Sequence, residues 1–304
     1  MNALKQYIMQ KILFLLILIQ YTSLFSQEIH PLEPASNHYM EFQKLDGAPS
    51  MSRTELDSIA FLPSQYNSVA LLYTMMSPAY LSQNQIDDLK NSLKQPANSS
   101  EQTKAELEFL LNWQIKRTKT QEVRAAEVLA PVGYWPHINV KKDHPGYEQN
   151  KQHLFFEGRT IMGDQCTEEN YPSTFKFMQG ITKDMRIMEF TVKYHLLRPR
   201  PYVLESKLTP LAIMSSPSFA SGHTLWAYIQ AFAWSELIPE KRQEFLELAY
   251  EIGESREIMG IHYPSDEEAA RVLAHGMLSA MWSNPIFSKD LKAAKLEWKN
   301  TKTD

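Results

Sequence analysis

Three short clusters in the C-terminal half of the chain set cations, imidazoles and a carboxylate at fixed intervals. The densest runs from Glu254 to Asp266, where Ser255 is followed by Arg256, His262 and Asp266. A histidine with a carboxylate four residues on is a candidate nucleophile or base, because the carboxylate fixes the tautomer and stabilises the imidazolium that follows attack. An arginine beside such a ring would hold an oxyanion. Arg, His and Asp also gather at ordinary helix ends, so this stretch gains its weight from what stands upstream. Lys193 and Arg200 close an apolar helical stripe, and Pro201 makes the exit rigid, which suits a guanidinium that must point one way. Alone, the two cations would equally complement a helix C-terminus. Ser216 to Thr224 reads SPSFASGHT directly before another helical pattern. There Ser221 and Gly222 let backbone N–H groups face an anion at a helix N-terminus, although Ser221 would also serve as a plain N-cap. His223 adds an ionisable group in the first turn, placed to act as a general acid. Glu267 and Glu268, by contrast, read as a solvated face.

The elements that carry these clusters read as helices. From Ser173, apolar residues recur at Phe175, Met178, Ile181, Met185, Met188, Val192 and Leu196, the three-and-four spacing of a buried helical face, and stop at Arg198-Pro199-Arg200-Pro201. Leu225 to Ala233 marks a second helix, ended near Pro239. Lys241 to about Met259 gives a third, and Asp266 to Trp282 a fourth that Pro264 helps to open. Upstream, Gln65 to Met76, Gln83 to Leu93 and a long run Glu101 to Leu129 are helical candidates. Gln27 to Ser52 reads as an extended lead-in, and Pro131 to Tyr147 as a loop crossing the surface. Val, Ile and Thr are nowhere gathered into alternating runs. The fold class is therefore all-α.

The rest of the composition bounds the answer. At 304 residues the chain is long enough to bury a real core. A net charge of −4 excludes nucleic acid as the main partner, so any anion site must be a local cluster. Residues 1–26 carry Lys5 and Lys11, an apolar run Ile12 to Ile19, and polar residues ending at Ser26-Gln27, the layout of a secretory signal peptide. The apolar run falls short of the ~18–20 residues that a spanning helix needs. The expectation is a secreted or periplasmic protein without stable membrane insertion after cleavage. One cysteine, Cys166, leaves no internal disulfide and reads as a buried bystander. The histidines are too scattered for a metal set. Apolar helix faces in the N-terminal third leave room for a homo-oligomer contact.

Lys193-x6-Arg200-Pro201, then Ser221-Gly222-His223, then Ser255-Arg256-x5-His262-x3-Asp266 resembles the three-part signature of the type 2 phosphatidic acid phosphatase superfamily. Its bacterial class A nonspecific acid phosphatases resemble the chain further, through Ala269-Ala270-Arg271-Val272 and Ser283-Asn284-Pro285. The resemblance covers about Ser173 to Lys299. It departs at Ala220, where the family usually has Pro, and in a doubled Arg-Pro pair whose spacing selects Arg200 over Arg198. It implies a helical bundle of the acid phosphatase and vanadium haloperoxidase type, with residues 131–300 as the catalytic unit, joined to the helices of 53–130.

By that resemblance His262 attacks phosphorus to form a phosphohistidine, Asp266 orients its ring, and His223 protonates the leaving alcohol. Lys193, Arg200, Arg256 and the amides at Ser221 and Gly222 hold the nonbridging oxygens of a small phosphorylated substrate. No metal or cofactor is implied, and vanadate is expected to bind as a phosphate mimic. His262 neutral and His223 charged together give an expected optimum of about pH 5–7. The alternatives are a vanadate-dependent haloperoxidase, disfavoured by the short gap between His223 and His262, and an exported protein that binds a phosphorylated ligand without turning it over.

Overall fold

The computed structural model describes residues 29–51, 54–132 and 159–300. The leader over residues 1–26 lies outside the described residues, as does the expected surface crossing beyond Val132. The chain divides into a unit of residues 1–31, whose described residues 29–31 carry no regular structure, and a unit from Leu32 on that holds every helix described here. Among the described residues there is no strand, as the sequence leads one to expect.

The helices in chain order are α1 (Asn37–Gln43), α2 (Ser68–Thr74), α3 (Gln83–Ser92), α4 (Glu101–Lys116) and α5 (Lys119–Val123). They are followed by α6 (Pro172–Leu196), α7 (Gly222–Leu237), α8 (Arg242–Ile258), α9 (Pro264–Met281) and α10 (Pro285–Asn300), with short helical turns between. Helix α7 is the axis of the unit. Its sequence GHTLWAYIQAFAWSEL is apolar nearly all round, and every one of its residues is buried, as such a helix requires. It packs chiefly against α8 and α9, with α6 on a further side. All four helices of this core begin or end with one of the sequence clusters.

Helix α6 has Pro172 in its first turn, and the carboxylate of Glu297 on α10 accepts from the N–H groups of Ser173 and Thr174, at 2.6 and 2.8 Å. It ends at Leu197, a non-glycine residue held in the left-handed region at φ 54°, whose N–H bonds the Lys193 carbonyl at 2.9 Å. That conformation costs about 1–2 kcal/mol. The Leu197 carbonyl, accepting from Phe61 N at 2.8 Å, helps to pin it. The turn aims the two arginines that follow in different directions.

Three expectations need correction. The run Glu101 to Leu129 is not one helix: α4 stops at Lys116, and Thr118 opens α5 by accepting from Gln121 N while the Gln121 side chain answers its backbone N–H. Beyond α5 the backbone widens to a π-helix over Arg124–Leu129. The lead-in is not wholly extended either, since α1 lies within it and packs on α9 and α4, with His38 stacked on Phe109 at 5.2 Å. Finally, Glu267 and Glu268 are buried, not solvated. Helix α9 has α7 on one side and α1 on another, so the stripe that would face water is covered.

Candidate active site

A cavity of about 270 Å³ opens where the end of α6, the start of α7 and the turn between α8 and α9 meet. Lys193, Arg200, Gly222, His223 and His262 line it, brought together from three separate stretches of sequence. Ser221, Arg256 and Asp266 do not reach its wall. Asp266 stands behind His262, Ser221 caps α7 with its side chain on Thr224 N, and Arg256 is buried with Nη2 on Met259 Sδ at 2.6 Å.

His262 is fixed at both ring nitrogens. Nδ1 faces Asp266 Oδ2 at 3.0 Å, and Arg200 Nη1 stands 2.8 Å from Nε2. A guanidinium only donates, so Nε2 accepts, and the ring proton sits on Nδ1 toward the carboxylate. Nε2 therefore presents its lone pair at the cavity. Burial and then the charge of Arg200 push the His262 pKa well below the usual imidazole value, outweighing the pull of Asp266. The lowered pKa favours the neutral ring.

Asp266 is the anchor. Burial alone would raise its pKa, but Arg198, His262 and Ser218 hold it well below the ordinary carboxylate range. Arg198 Nη1 donates to Oδ1 at 2.7 Å, and Ser218 Oγ and Tyr263 N donate to Oδ2 at 2.5 and 3.1 Å. Arg198 is fully buried and bonds Glu106 as well, at 3.3 Å. The doubled Arg-Pro pair thus splits: Arg200 faces the cavity, and Arg198 faces the carboxylates that orient His262.

The cations are braced by main-chain carbonyls. Lys193 Nζ donates to Pro217 O and Ser218 O at 2.8 and 3.0 Å, and burial, with the nearby Arg200, lowers its pKa to about 7. Arg200 donates through Nε to Ser216 O at 2.9 Å and through Nη1 to Ile261 O at 2.8 Å. His223 Nε2 lies 2.8 Å from the Ala130 carbonyl, so Nε2 carries the proton. Burial first, then Arg256, push the His223 pKa well below the usual value. The charge expected on His223 is therefore opposed by its surroundings, and an anion in the cavity would favour it.

Four contributors escaped the sequence reading. Ser218 and Arg198 sit inside stretches already singled out, SPSFASGHT and Arg198-Pro199-Arg200-Pro201, so their positions were visible and their targets were not. Glu106, on α4, accepts from Ser265 N and Oγ at 3.1 and 2.8 Å and gives no local signal. Glu189 lines the cavity, accepts from Arg186 Nη1 at 2.6 Å, and lies so near Gly222 that a Cβ there would stand 1.9 Å from its Oε1. Gly222→Ala should therefore drive Glu189 into the cavity and raise KM for a phosphate ester by about tenfold or more. Steady-state kinetics beside the wild type check this; an unchanged KM would refute it. Among the described residues, no three His, Cys, Asp or Glu side chains converge as a metal ion would require.

Residues 178–289 match the PAP2 superfamily, a span that contains every cavity residue of the three clusters. That segment is a PAP2 superfamily domain. The non-specific acid phosphatase of Providencia stuartii is 32% identical over 146 residues, covering 46% of this chain and 59% of that protein. The non-specific acid phosphatase of Salmonella typhi is 27% identical over 143 residues, covering 45% and 57%. The chain thus spans just over half the length of these curated relatives. Among solved structures, a bacterial vanadium-dependent iodoperoxidase shares 16% identity at a TM-score of 0.49, covering 79% of this chain and 63% of that one. A bacterial vanadium-dependent chloroperoxidase shares 9% at 0.47, covering 72% and 55%. The PAP2 domain begins within α6 and ends within α10, so the cavity wall contributed by Asn67, Ala70 and Tyr73 comes from outside it.

Proposed function

We propose that the chain is an exported, metal-independent acid phosphatase that hydrolyses small phosphomonoesters through a phosphohistidine. The observation that carries this is His262, neutral, oriented by Asp266 at Nδ1, and presenting Nε2 to a cavity lined by Lys193 and Arg200. Nε2 attacks phosphorus, the bond to the leaving oxygen breaks, and His223 gives that oxygen a proton. His223 then takes a proton from water, which attacks the phosphohistidine and releases inorganic phosphate. Catalysis of this kind rests on positioning and on charge neutralisation at the equatorial oxygens.

Arg200 has a defined part in the first step. One of its N–H groups occupies the Nε2 lone pair that must attack. A bound phosphoryl oxygen competes for that N–H, so substrate binding both engages the guanidinium and uncovers the nucleophile. The bonds to Ser216 and Ile261 hold the rest of the fork still meanwhile. Lys193, whose pKa burial lowers to about 7, gains its full charge beside a dianion. Arg256 acts on His223 through its field, and the Gly222 amide completes the anion site, whereas the expected Ser221 amide is taken up by the Asp266 carbonyl at 3.1 Å.

Hydrolysis of p-nitrophenyl phosphate across pH, with EDTA and with vanadate, tests the proposal. Turnover should resist EDTA and be inhibited by vanadate. The sign of the pH dependence follows from the two rings. His262 must be unprotonated and His223 protonated, and both pKa values are lowered, so both limbs of the kcat/KM bell move to the acid side. The maximum is expected below the ordinary imidazole value of about 6.5. Loss of Lys193 charge steepens the fall above about pH 7. A profile still rising above about pH 8 would sink the mechanism. Absence of turnover from folded protein would favour a vanadate-dependent peroxidase or a binding protein, and bromide oxidation by peroxide with vanadate would separate these.

A further inference from the structure

A second cavity, of about 340 Å³, lies on the other side of the same helix turns. Thr224 lines it where His223 lines the first, and Glu257 and Glu267 line it beside Arg256 and Asp266 in sequence. Six carboxylates border it: Glu33, Glu247, Glu254, Glu257, Glu267 and Glu268. Arg271 donates from Nε and Nη2 to Glu268, at 2.7 and 2.6 Å, and from Nη1 to the Glu33 carbonyl at 2.8 Å, and the Glu33 carboxylate is taken by Arg242. His38 reaches one oxygen of Glu257, at 3.2 Å.

Two buried oxygens are left over. Glu257 is 3% exposed and Glu267 8% exposed, yet Glu257 Oε2 and Glu267 Oε1 have no hydrogen-bond partner. A buried carboxylate oxygen without a donor is costly, and native interiors seldom leave one unless something fills the place. The other walls are Tyr39, Tyr228 and Tyr250, with Leu246 and Pro264. Carboxylates exclude an anion. The donor set does not converge as a metal ion demands, because no three acidic or imidazole groups among the described residues meet. Aromatic walls together with carboxylates suit a cation that carries alkyl groups, its charge near the acids and its methylenes or methyls on the rings.

We propose that this cavity binds a small organic cation of the alkylammonium class, held by Glu257 and Glu267 and walled by Tyr39, Tyr228 and Tyr250. The ligand is chemically the opposite of a phosphate ester, so the site is separate from the catalytic cavity and does not depend on its function. Burial pushes the carboxyl groups of Glu257 and Glu267 up, and the charge of Glu257 raises Glu267 further, so a proton competes with the cation for this place.

Calorimetric titration of the full chain with tetramethylammonium chloride, against sodium and magnesium chloride at matched ionic strength, tests this. The expected result is saturable one-to-one binding of tetramethylammonium only, weakened about tenfold or more in Glu257→Gln and in Glu267→Gln. Glutamine keeps the side-chain shape, and a folded far-UV spectrum would show that loss of binding is not loss of structure. Tyr250→Ala, at a position 40% exposed, removes one wall without opening the core and should weaken binding in the same direction. No saturable heat from the wild type, wild-type affinity in the folded Glu257→Gln and Glu267→Gln variants, or tighter binding of magnesium than of tetramethylammonium would each overturn the proposal.

Discussion

Replacing His262 with alanine is expected to lower kcat for p-nitrophenyl phosphate by at least about 10⁴-fold while inorganic phosphate still binds. The nucleophile is lost, but Lys193, Arg200 and the amides at the start of α7 remain, and affinity depends on those. Asp266→Asn is expected to cost about 10³–10⁴-fold for a different reason. The amide can present its NH₂ to Nδ1 and so place the ring proton on Nε2, where it blocks attack. The substitution also deprives Arg198, Ser218 and Tyr263 of the carboxylate that they all address. Rapid quenching followed by acid-labile phosphate analysis should find phosphoenzyme in the wild type and none in His262→Ala. Turnover within tenfold of wild type in the alanine variant would end the phosphohistidine reading, since no other group on the cavity wall has its lone pair held at the centre of the cations.

How much of this was legible beforehand depends on how far apart in sequence the interacting groups are. His262 and Asp266 are four residues apart on a turn that enters a helix, so their contact is local and their spacing betrays it. Lys193 and Arg200 flank a helix end, and local geometry again sets their relation. The all-helical class followed from apolar periodicity. Glu106 lies on α4, far from Ser265 in sequence, and only the packing of α4 brings it there. No window of sequence contains that fact. The reading of Glu267 and Glu268 failed for the same reason: two adjacent carboxylates at a helix start signal water unless another helix covers them, and α1 was hidden in a polar stretch. The lowered pKa of His223 was not legible because composition reports neither burial nor the nearness of Arg256.

Arg198→Ala and Arg200→Ala should part company, although the two residues share a motif and only Pro199 separates them. Arg198 is enclosed between two buried carboxylates, Asp266 and Glu106. Removing it leaves both without their cation, and breaking a buried pair in this way costs about 3–5 kcal/mol. The pH dependence should change as well. In the wild type the pKa of Asp266 is depressed, so its contribution to stability is present above the unfolded carboxylate value and is lost as pH falls through the folded one. Without Arg198, burial and the neighbouring Glu106 raise it, and the sign reverses: acidification now neutralises the stranded carboxylates and recovers stability. Arg200→Ala strands no buried carboxylate, because its fork bonds the carbonyls of Ser216 and Ile261 and faces a cavity that water can enter. Its stability cost should be well below that of Arg198→Ala, and its main effect a higher KM with slower chemistry. Urea midpoints measured at several pH values, together with kinetics, separate the two. Equal destabilisation by both variants, or an Arg198→Ala protein that is no more stable in acid, would mean that the division of labour within Arg198-Pro199-Arg200 is wrong.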